Sequence, residues 1–302
     1  MTDVIEVNNL TRRFGRLVAI DDISFTVHEG EIFGLLGENG AGKTTTLEIL
    51  EGFQKPDRGS ALVLGHNPYT AHRQWRDRIG LVLQESDFDP VHTVTETVSL
   101  FAGFFSHPRD VDETLALVGL TAKAKERVGR LSGGQKRRVD VALGIIGRPS
   151  LLFLDEPTTG FDPIARADFW TVIEGLRDEG TSIVLTTHYM EEAERLCDRL
   201  AIMAKGQIVA EGTSSTLISE MGATTLRFEL PRGLGLDALR AITGIDFVLR
   251  DNLATALLGA ELQSVLRRLM TWAESTEVHL HRLEVLRPSL TDVFLGATGN
   301  DR

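Results

Sequence analysis

The residues best suited to chemistry lie in a glycine-rich stretch, Gly34–Thr46, which reads GLLGENGAGKTTT. Gly37, Gly42, Lys43 and Thr44 fit the pattern of a glycine, four residues, a second glycine, a lysine and Ser/Thr. Such a loop curls its backbone N–H groups around phosphates, and the helix that follows adds the positive end of its dipole. We therefore expect Lys43 to reach the β- and γ-phosphates of a nucleotide and the Thr44 hydroxyl to bind Mg²⁺.

A pair of carboxylates supplies the next candidates. Asp155 and Glu156 directly follow the apolar run Leu151–Leu154, which predicts a buried strand. After a phosphate loop, an apolar strand that ends in aspartate is the expected Mg²⁺-binding element. We assign Asp155 to the metal, directly or through water, and Glu156 to the attacking water as general base. The alternative is two carboxylates in a solvated loop, which the phosphate loop disfavours.

Two more polar side chains follow predicted strands. Gln84 comes after Ile79–Leu83, and His188 comes after Ser182–Leu185 and two threonines. Ligands bind at the carboxyl ends of the strands in an α/β sheet. Gln84 could offer its amide oxygen to Mg²⁺ and the attacking water, and neutral His188 could contact the γ-phosphate. Taken alone, each residue is better explained as solvent-exposed or structural.

A second candidate phosphate site opens a predicted helix. Ser132 can cap this helix, while Gly133 and Gly134 allow a close backbone approach before Gln135. Exposed N–H groups at a helix N-terminus can bind phosphate together with a hydroxyl. An ordinary helix cap is the alternative. Phe14 lies in a predicted turn where a purine ring could stack, with core packing as its alternative.

The elements around these residues predict an α/β fold. Strands and helices alternate around a mostly parallel sheet, with an antiparallel β subdomain near the N-terminus and a helical insert at about residues 87–147. From residue 222 onward we predict strands and helices in the order βαββαβ, which suggests a ferredoxin-like sandwich. No lysine follows Lys205. We therefore expect a P-loop ATPase domain at 1–221 and a small α+β C-terminal domain at 222–302.

Composition narrows the function classes. The 302 residues carry a net charge of −11, which counts against nucleic acid and anionic lipid as the main partners. No stretch is as long and apolar as a membrane span, and the first residues, MTDVIEVNNL, predict no secretory signal. The single cysteine, Cys197, excludes an internal disulfide framework and fits a packing role in a reducing compartment.

Taken together, these motifs resemble the ATP-binding subunit of ABC transporters over Val4 to about Thr216. The most specific of them is Leu131–Gln135, which reads LSGGQ, followed by LLFLDEP and a later TTH. The resemblance implies that two subunits close head-to-tail over two ATP molecules. Each ATP would then lie between the phosphate loop of one subunit and Ser132, Gly133, Gly134 and Gln135 of the other. Asp162 would lie at the seam of this homodimer.

The resemblance also implies an ATP site built from named residues. The expected ATP contacts are Phe14, Gly37, Asn39, Gly40, Ala41, Gly42, Lys43, Thr44 and Thr45. The expected catalytic residues are Lys43, Gln84, Glu156 and His188, and the expected metal ligands are Thr44, Gln84 and Asp155. Two departures from the family pattern are minor: Phe14 stands where Tyr is common, and Phe161 stands where Leu is common.

The residues Thr187–Glu194 and Pro288–Leu295 are similar to the daunorubicin-resistance branch of exporters. That likeness implies export of a drug, antibiotic or lipid-like substrate through a separate membrane permease. The subunit would then sit peripherally at the cytoplasmic face of the membrane. The alternatives are a soluble ABC ATPase that acts on ribosomes or nucleic acid, an importer subunit, and a scaffold that binds nucleotide without hydrolysis. Intact Glu156 and His188 disfavour the scaffold.

Overall fold

The computed structural model describes residues 2–83, 88–220, 224–231, 233–259 and 261–298. The chain divides into two compact units, Met1–Ser214 and Ser215–Arg302. The boundary predicted between residues 221 and 222 lies seven residues later and stays a prediction. Within the described ranges, no helix combines the length and the apolar character that crossing a bilayer requires.

The first unit is built on two sheets. Its strands are β1 Asp3–Phe14, β2 Leu17–His28, β3 Ile32–Gly37, β4 Arg58–Val63, β5 Ile79–Val82, β6 Leu151–Asp155, β7 Ser182–Thr187, β8 Arg199–Ala204 and β9 Gln207–Gly212. The larger sheet has the order β5-β6-β7-β3-β8-β9 and is parallel except for the β8–β9 pair. Every residue of β3, β6 and β7 is buried, as is typical of parallel strands covered on both faces.

The smaller sheet is antiparallel, with the order β2-β1-β4. The sequence predicts a first strand over Val4–Val7 and a turn at Thr11–Gly15. The predicted turn is wrong in its start, because the observed strand β1 still includes Thr11–Phe14. β1 instead runs on to Phe14 because bulges absorb the irregular residues. Asn9, with φ 48°, is one of these residues.

Seven α-helices belong to the described part of the first unit. They are α1 Lys43–Leu50, α2 Arg73–Arg76, α3 Val94–Ala102, α4 Val111–Leu117, α5 Gly133–Ile145, α6 Pro163–Asp178 and α7 Met190–Leu196. A further helix, α8 Ser214–Glu220, begins at the boundary between the units. The insert contributes α3, which ends at Ala102, whereas the sequence pattern predicts a helix over Thr95–Phe105. A capping box between Thr93 and Glu96 defines its start. The predicted fold class is confirmed: a mostly parallel sheet with an antiparallel subdomain and a helical insert.

The second unit is a four-stranded antiparallel sheet with helices between its strands. Its elements are β10 Thr224–Glu229, α9 Leu236–Thr243, β11 Val248–Arg250, β12 Leu253–Leu258, α10 Leu262–Ser275, β13 Glu284–Leu286 and α11 Leu290–Thr298. The strand order is β11-β12-β10-β13, and a ferredoxin-like description of this unit stays our proposal. The sequence pattern predicts a last strand over Glu277–Val285. The observed β13 is shorter, since positive φ angles at Glu277 and Arg282 interrupt the extended chain.

Candidate functional site

The glycine-rich loop joins β3 to α1 through backbone conformations that only glycine adopts easily. Gly40 and Gly42 have φ angles of 82° and 107°. A Cβ on Gly42 would lie 2.5 Å from the carbonyl oxygen of Ala19, and one on Gly37 would lie 2.7 Å from that of Met203. The loop is therefore packed tightly against β2 and β8, with the first turn of α1 directly behind it.

Lys43 is held inside this loop. The residue is only 4% exposed, and its ammonium group donates to the carbonyl oxygens of Gly37 at 2.8 Å and Glu38 at 3.2 Å. It also lies 3.5 Å from Oε1 of Glu156. A buried cation surrounded by carbonyl oxygens and a carboxylate is well placed to receive phosphate oxygens.

The carboxyl ends of β6 and β7 meet the first turn of α1, and four oxygen-bearing residues come together there. The Thr44 hydroxyl donates to Oδ2 of Asp155 at 3.4 Å, and the Thr186 hydroxyl donates to Oδ1 at 2.5 Å. Thr186 Oγ1 in turn accepts a hydrogen bond from the backbone N–H of Glu156 at 2.9 Å. Thr186 was missed by sequence reasoning, although its place at the end of a strand beside β6 was a usable signal.

This set of donors fits Mg²⁺. Among the described residues, no group of three or more His, Cys, Asp and Glu side chains could hold a metal by itself. Mg²⁺ is usually held by one or two protein oxygens together with substrate phosphates and water. Thr44 and Asp155 are such a pair, and they lie next to the phosphate loop. Gln84, the third predicted ligand, lies outside the described residues.

Glu156 occupies a strained position between the loop and His188. Its φ angle is 43°, which is uncommon for a residue with a side chain. The Thr159 hydroxyl donates to Oε2 at 3.3 Å, and Nδ1 of His188 lies 3.3 Å from the same oxygen. The Glu156 side chain is 10% exposed, so its carboxylate faces a small opening rather than open solvent.

An open cleft of about 460 Å³ runs from this centre towards β1 and β2. Phe14 is 42% exposed at one end of it, so it is not a core residue. The Arg12 guanidinium lies 4.7 Å from the centre of the Phe14 ring. The lining residues are Phe14, Leu17, Val18, Ala19, Glu38, Asn39, Gly40, Gly42, Lys43, Thr44, Thr45 and Glu156. Leu17, Val18 and Ala19 were not predicted from the sequence.

The structure does not bring Ser132–Gln135 to this cleft. Ser132 and Gln135 instead form a capping box at the start of α5. A Cβ on Gly133 would meet no atom of the described residues within 4 Å, so packing against them does not explain the glycine. Asp162 also lies away from the cleft lining, where its carboxylate caps α6 by accepting from the N–H groups of Ile164 and Ala165.

Sequence reasoning also missed Arg137 on α5, which ties together the loops that follow β5 and β6. Its guanidinium donates to the carbonyl oxygens of Asp155 at 2.7 Å and Pro157 at 3.0 Å, and to that of Leu83. Burial lowers the pKa of Arg137, although Asp140 and Asp155 oppose that effect. Leu83 directly precedes Gln84, so Arg137 anchors the chain at the point where the described segment ends.

Two family models match the chain. Residues 20–159 match the model described as ABC transporter. Residues 224–289 match a second model, described as ABC transporter domain-containing protein-like, C-terminal domain. The two matches fall in different units of the structure.

Individual proteins are similar over most of the chain. The Nod factor export ATP-binding protein I of Paraburkholderia xenovorans is 39% identical over 305 residues, which cover 98% of this chain and 97% of that protein. The protein of the same name from Ralstonia nicotianae is 39% identical over 310 residues, with 99% and 95% covered. Among solved structures, cbiO1 of Clostridium perfringens, part of the transporter complex cbiONQ, is 27% identical with a TM-score of 0.66, covering 73% of this chain and 92% of that one.

Proposed function

The chain belongs to the ABC transporter family as an ATP-binding subunit with ATPase activity, and on that premise we propose that it powers export through a separate permease. The relatives named as Nod factor export proteins match nearly its full length. That similarity supports export over import. The substrate class that we propose is a drug, an antibiotic or a lipid-like molecule.

The observation that carries the proposed mechanism is the convergence of Lys43, Thr44, Asp155, Glu156 and His188 at one sheet edge. We assign Lys43 to the β- and γ-phosphates of ATP and Phe14 to its base. Glu156 accepts a proton from the attacking water as general base, and His188 orients the γ-phosphate. Mg²⁺, when held by Thr44 and Asp155, would neutralise charge that develops on the phosphates.

The ion pair between Lys43 and Glu156 suggests how hydrolysis is restricted to the loaded site. The Lys43 ammonium and Oε1 of Glu156 lie 3.5 Å apart, so the two charges partly neutralise each other. Phosphate oxygens of ATP would compete for the Lys43 ammonium, because a multiply charged anion attracts it more strongly. Glu156 would then be free to act on water only after ATP has bound.

The positions of Ser132, Gly133 and Asp162 support a site shared between two subunits. Ser132 and Gly133 are exposed at the start of α5, away from the cleft that holds Lys43. Adjacent glycines at an exposed helix start cost stability, and no contact with the described residues requires a glycine at position 133. A second subunit whose ATP approaches this helix start would explain both glycines, with Asp162 at the seam.

An apolar groove in the insert supports docking of a permease. The groove has a volume of about 660 Å³, and its exposed apolar residues include Leu83, Leu100 and Phe101 at 43%, 56% and 37% exposure. A short amphipathic helix of a membrane partner fits such a surface. Docking there would hold the subunit peripherally at the cytoplasmic face of the membrane.

Purification of the tagged chain from detergent-solubilised membranes of its native cell tests this proposal. We expect the wild-type chain to retain a polytopic membrane protein in stoichiometric amount, and the groove variant Leu100→Asp to lose it. Leu62→Asp on β4, where the leucine is 37% exposed, is the matched control and should retain the partner. Recovery of ribosomal or nucleic-acid-binding proteins instead would favour the soluble ATPase.

A further inference from the structure

Two residues outside the sequence motifs lie against the histidine of the site. Tyr189 follows His188 directly, and Arg166 lies on α6 one turn after Asp162. Both residues are half-buried, and neither lines the cleft around Lys43. Their contacts form a continuous path from α6 to Glu156.

The first contact joins α6 to the loop that follows β7. The Arg166 guanidinium carbon lies 4.2 Å from the centre of the Tyr189 ring. Arg166 Nε is buried and has no hydrogen-bond partner among the described residues. Leaving a guanidinium N–H without an acceptor is costly unless another group compensates. The face of the aromatic ring supplies that compensation through a cation–π interaction, which is stronger where water is excluded.

The second contact passes from the ring of Tyr189 to that of His188. The ring centres are 4.1 Å apart with an interplanar angle of 39°. Nδ1 of His188 is itself buried and makes no hydrogen bond within the described chain, although it lies 3.3 Å from Oε2 of Glu156. The orientation of the imidazole is therefore set more by the neighbouring ring than by a hydrogen bond at Nδ1.

We propose that Arg166 and Tyr189 are positioning residues that hold His188 at the γ-phosphate, with Arg166 fixing the Tyr189 ring and the ring fixing the imidazole. This inference rests on the role proposed above for His188. Neither residue touches the reacting atoms. Their effect is to reduce the number of side-chain rotamers that His188 samples, so that the histidine is in place when ATP binds.

The pair also connects His188 with the predicted dimer seam. Asp162 caps α6, and the backbone N–H of Arg166 donates to the Asp162 carbonyl at 3.0 Å. A partner subunit that orders the start of α6 would thereby order Arg166. Positioning of His188 would then be most complete in the closed dimer, where hydrolysis takes place.

Steady-state ATP hydrolysis by the purified full-length chain tests the pair. We expect Arg166→Met and Tyr189→Leu each to lower kcat by about tenfold while KM for ATP changes by less than about twofold, because ATP contacts remain intact. Tyr189→Phe keeps the ring and Arg166→Lys keeps the charge, so both should retain most of the kcat. The double variant Arg166→Met/Tyr189→Leu should be no slower than either single variant, since one path is broken in each case.

Arg195→Met is the matched control. Arg195 on α7 lies 5.3 Å from the centre of the Trp170 ring on α6 and also pairs with Glu174 on α6. The change therefore removes a cation–π contact and an ion pair between α7 and α6 without touching Tyr189. An unchanged kcat in Arg195→Met together with a loss in Arg166→Met supports the proposal. Melting temperatures and binding of a fluorescent ATP analogue identify variants that have lost their fold.

Three results would overturn the proposal: an unchanged kcat in Arg166→Met, an equal loss in Tyr189→Phe and Tyr189→Leu, or additive losses in the double variant. If Tyr189→Leu does not fold, Arg166→Met and Tyr189→Phe decide. These outcomes are distinct from failure of the proposed role of His188. A His188→Ala variant with wild-type kcat would remove that role, whereas a slow His188→Ala beside a normal Arg166→Met would remove only the positioning pair.

Discussion

At the scale of single residues, Glu156 has the clearest expected phenotype. Glutamine keeps the size of the side chain but cannot accept a proton from water. We expect Glu156→Gln to bind ATP and to lower kcat by about 10²–10⁴-fold, which is the usual contribution of a general base. Single-turnover hydrolysis and nucleotide binding measured on the same preparation separate the two effects. Glu191→Gln, an exposed carboxylate on α7, is the control and should hydrolyse ATP normally.

Glu51 gives a prediction about stability and pH. Burial, together with the negative charges of Asp155 and Glu48, raises the pKa of its carboxyl from 4.5 to about 8. Between these two values the folded chain keeps a proton that the unfolded chain releases, so the free energy of unfolding falls as the pH rises. A glutamine side chain does not titrate, so this dependence of stability on pH is absent from Glu51→Gln. Glu51→Gln should therefore melt at a higher temperature than wild type at pH 8, and the gap should shrink towards pH 5.

Thermal unfolding without nucleotide at several pH values checks this expectation. Glu48→Gln is a useful comparison. Glu48 accepts a hydrogen bond from Gln54 at 2.8 Å, and the amide oxygen of glutamine at position 48 can also accept a hydrogen bond. The substitution removes a neighbouring charge while leaving the Glu51 carboxyl in place. A gap between Glu51→Gln and wild type that stays constant from pH 5 to pH 8 would contradict the assigned proton linkage.

The sequence could predict residues whose role follows from a local pattern. Lys43, Thr44, Asp155 and Glu156 each belong to a short motif at the end of an apolar strand, and the fold brings these strand ends to one edge. Arg137, by contrast, acts by donating hydrogen bonds to backbone carbonyl oxygens of residues that are 18 to 54 positions away in sequence. Periodicity along the chain holds no information about such distant partners.

At the scale of elements, the phosphate loop and α6 make opposite predictions for the same substitution. Gly42 has a φ of 107° and no room for a Cβ, whereas Gly175 within α6 has open space around it. Gly42→Ala should weaken ATP binding by at least about tenfold, because the loop must move to relieve strain. Gly175→Ala should bind ATP normally and stabilise the chain by up to about 1 kcal/mol, the helix-propensity difference.

Nucleotide titration and chemical unfolding of both variants measure these effects. Normal ATP affinity in Gly42→Ala would show that the loop tolerates a side chain at its tightest point.

Backbone conformation also explains which elements could be predicted from the sequence. Buried strands such as β3 and β6 follow from continuous apolar runs. β1 and β13 depended on residues with positive φ, including Asn9 and Arg282, whose residue types do not require that conformation.

At the scale of the whole molecule, the shared ATP site predicts that two inactive variants can complement each other. Ser132→Arg keeps the phosphate loop but blocks the helix start that is proposed to contact the partner's ATP. Lys43→Ala keeps that helix start, but its phosphate loop lacks the lysine that is proposed to bind the phosphates. In a mixed dimer, one of the two sites combines the intact phosphate loop of the first variant with the intact α5 start of the second.

Random pairing of equal amounts makes half of the dimers mixed, so about a quarter of all sites should be intact. We expect each variant alone to be inactive and the mixture to hydrolyse ATP at up to about a quarter of the wild-type rate. A second mixture, Lys43→Ala with Glu156→Gln, is the matched control, because both of its lesions lie on the side of the site that holds Lys43. No mixed site is intact there, so that mixture should stay inactive. Equal activity in the two mixtures would contradict a site shared between subunits.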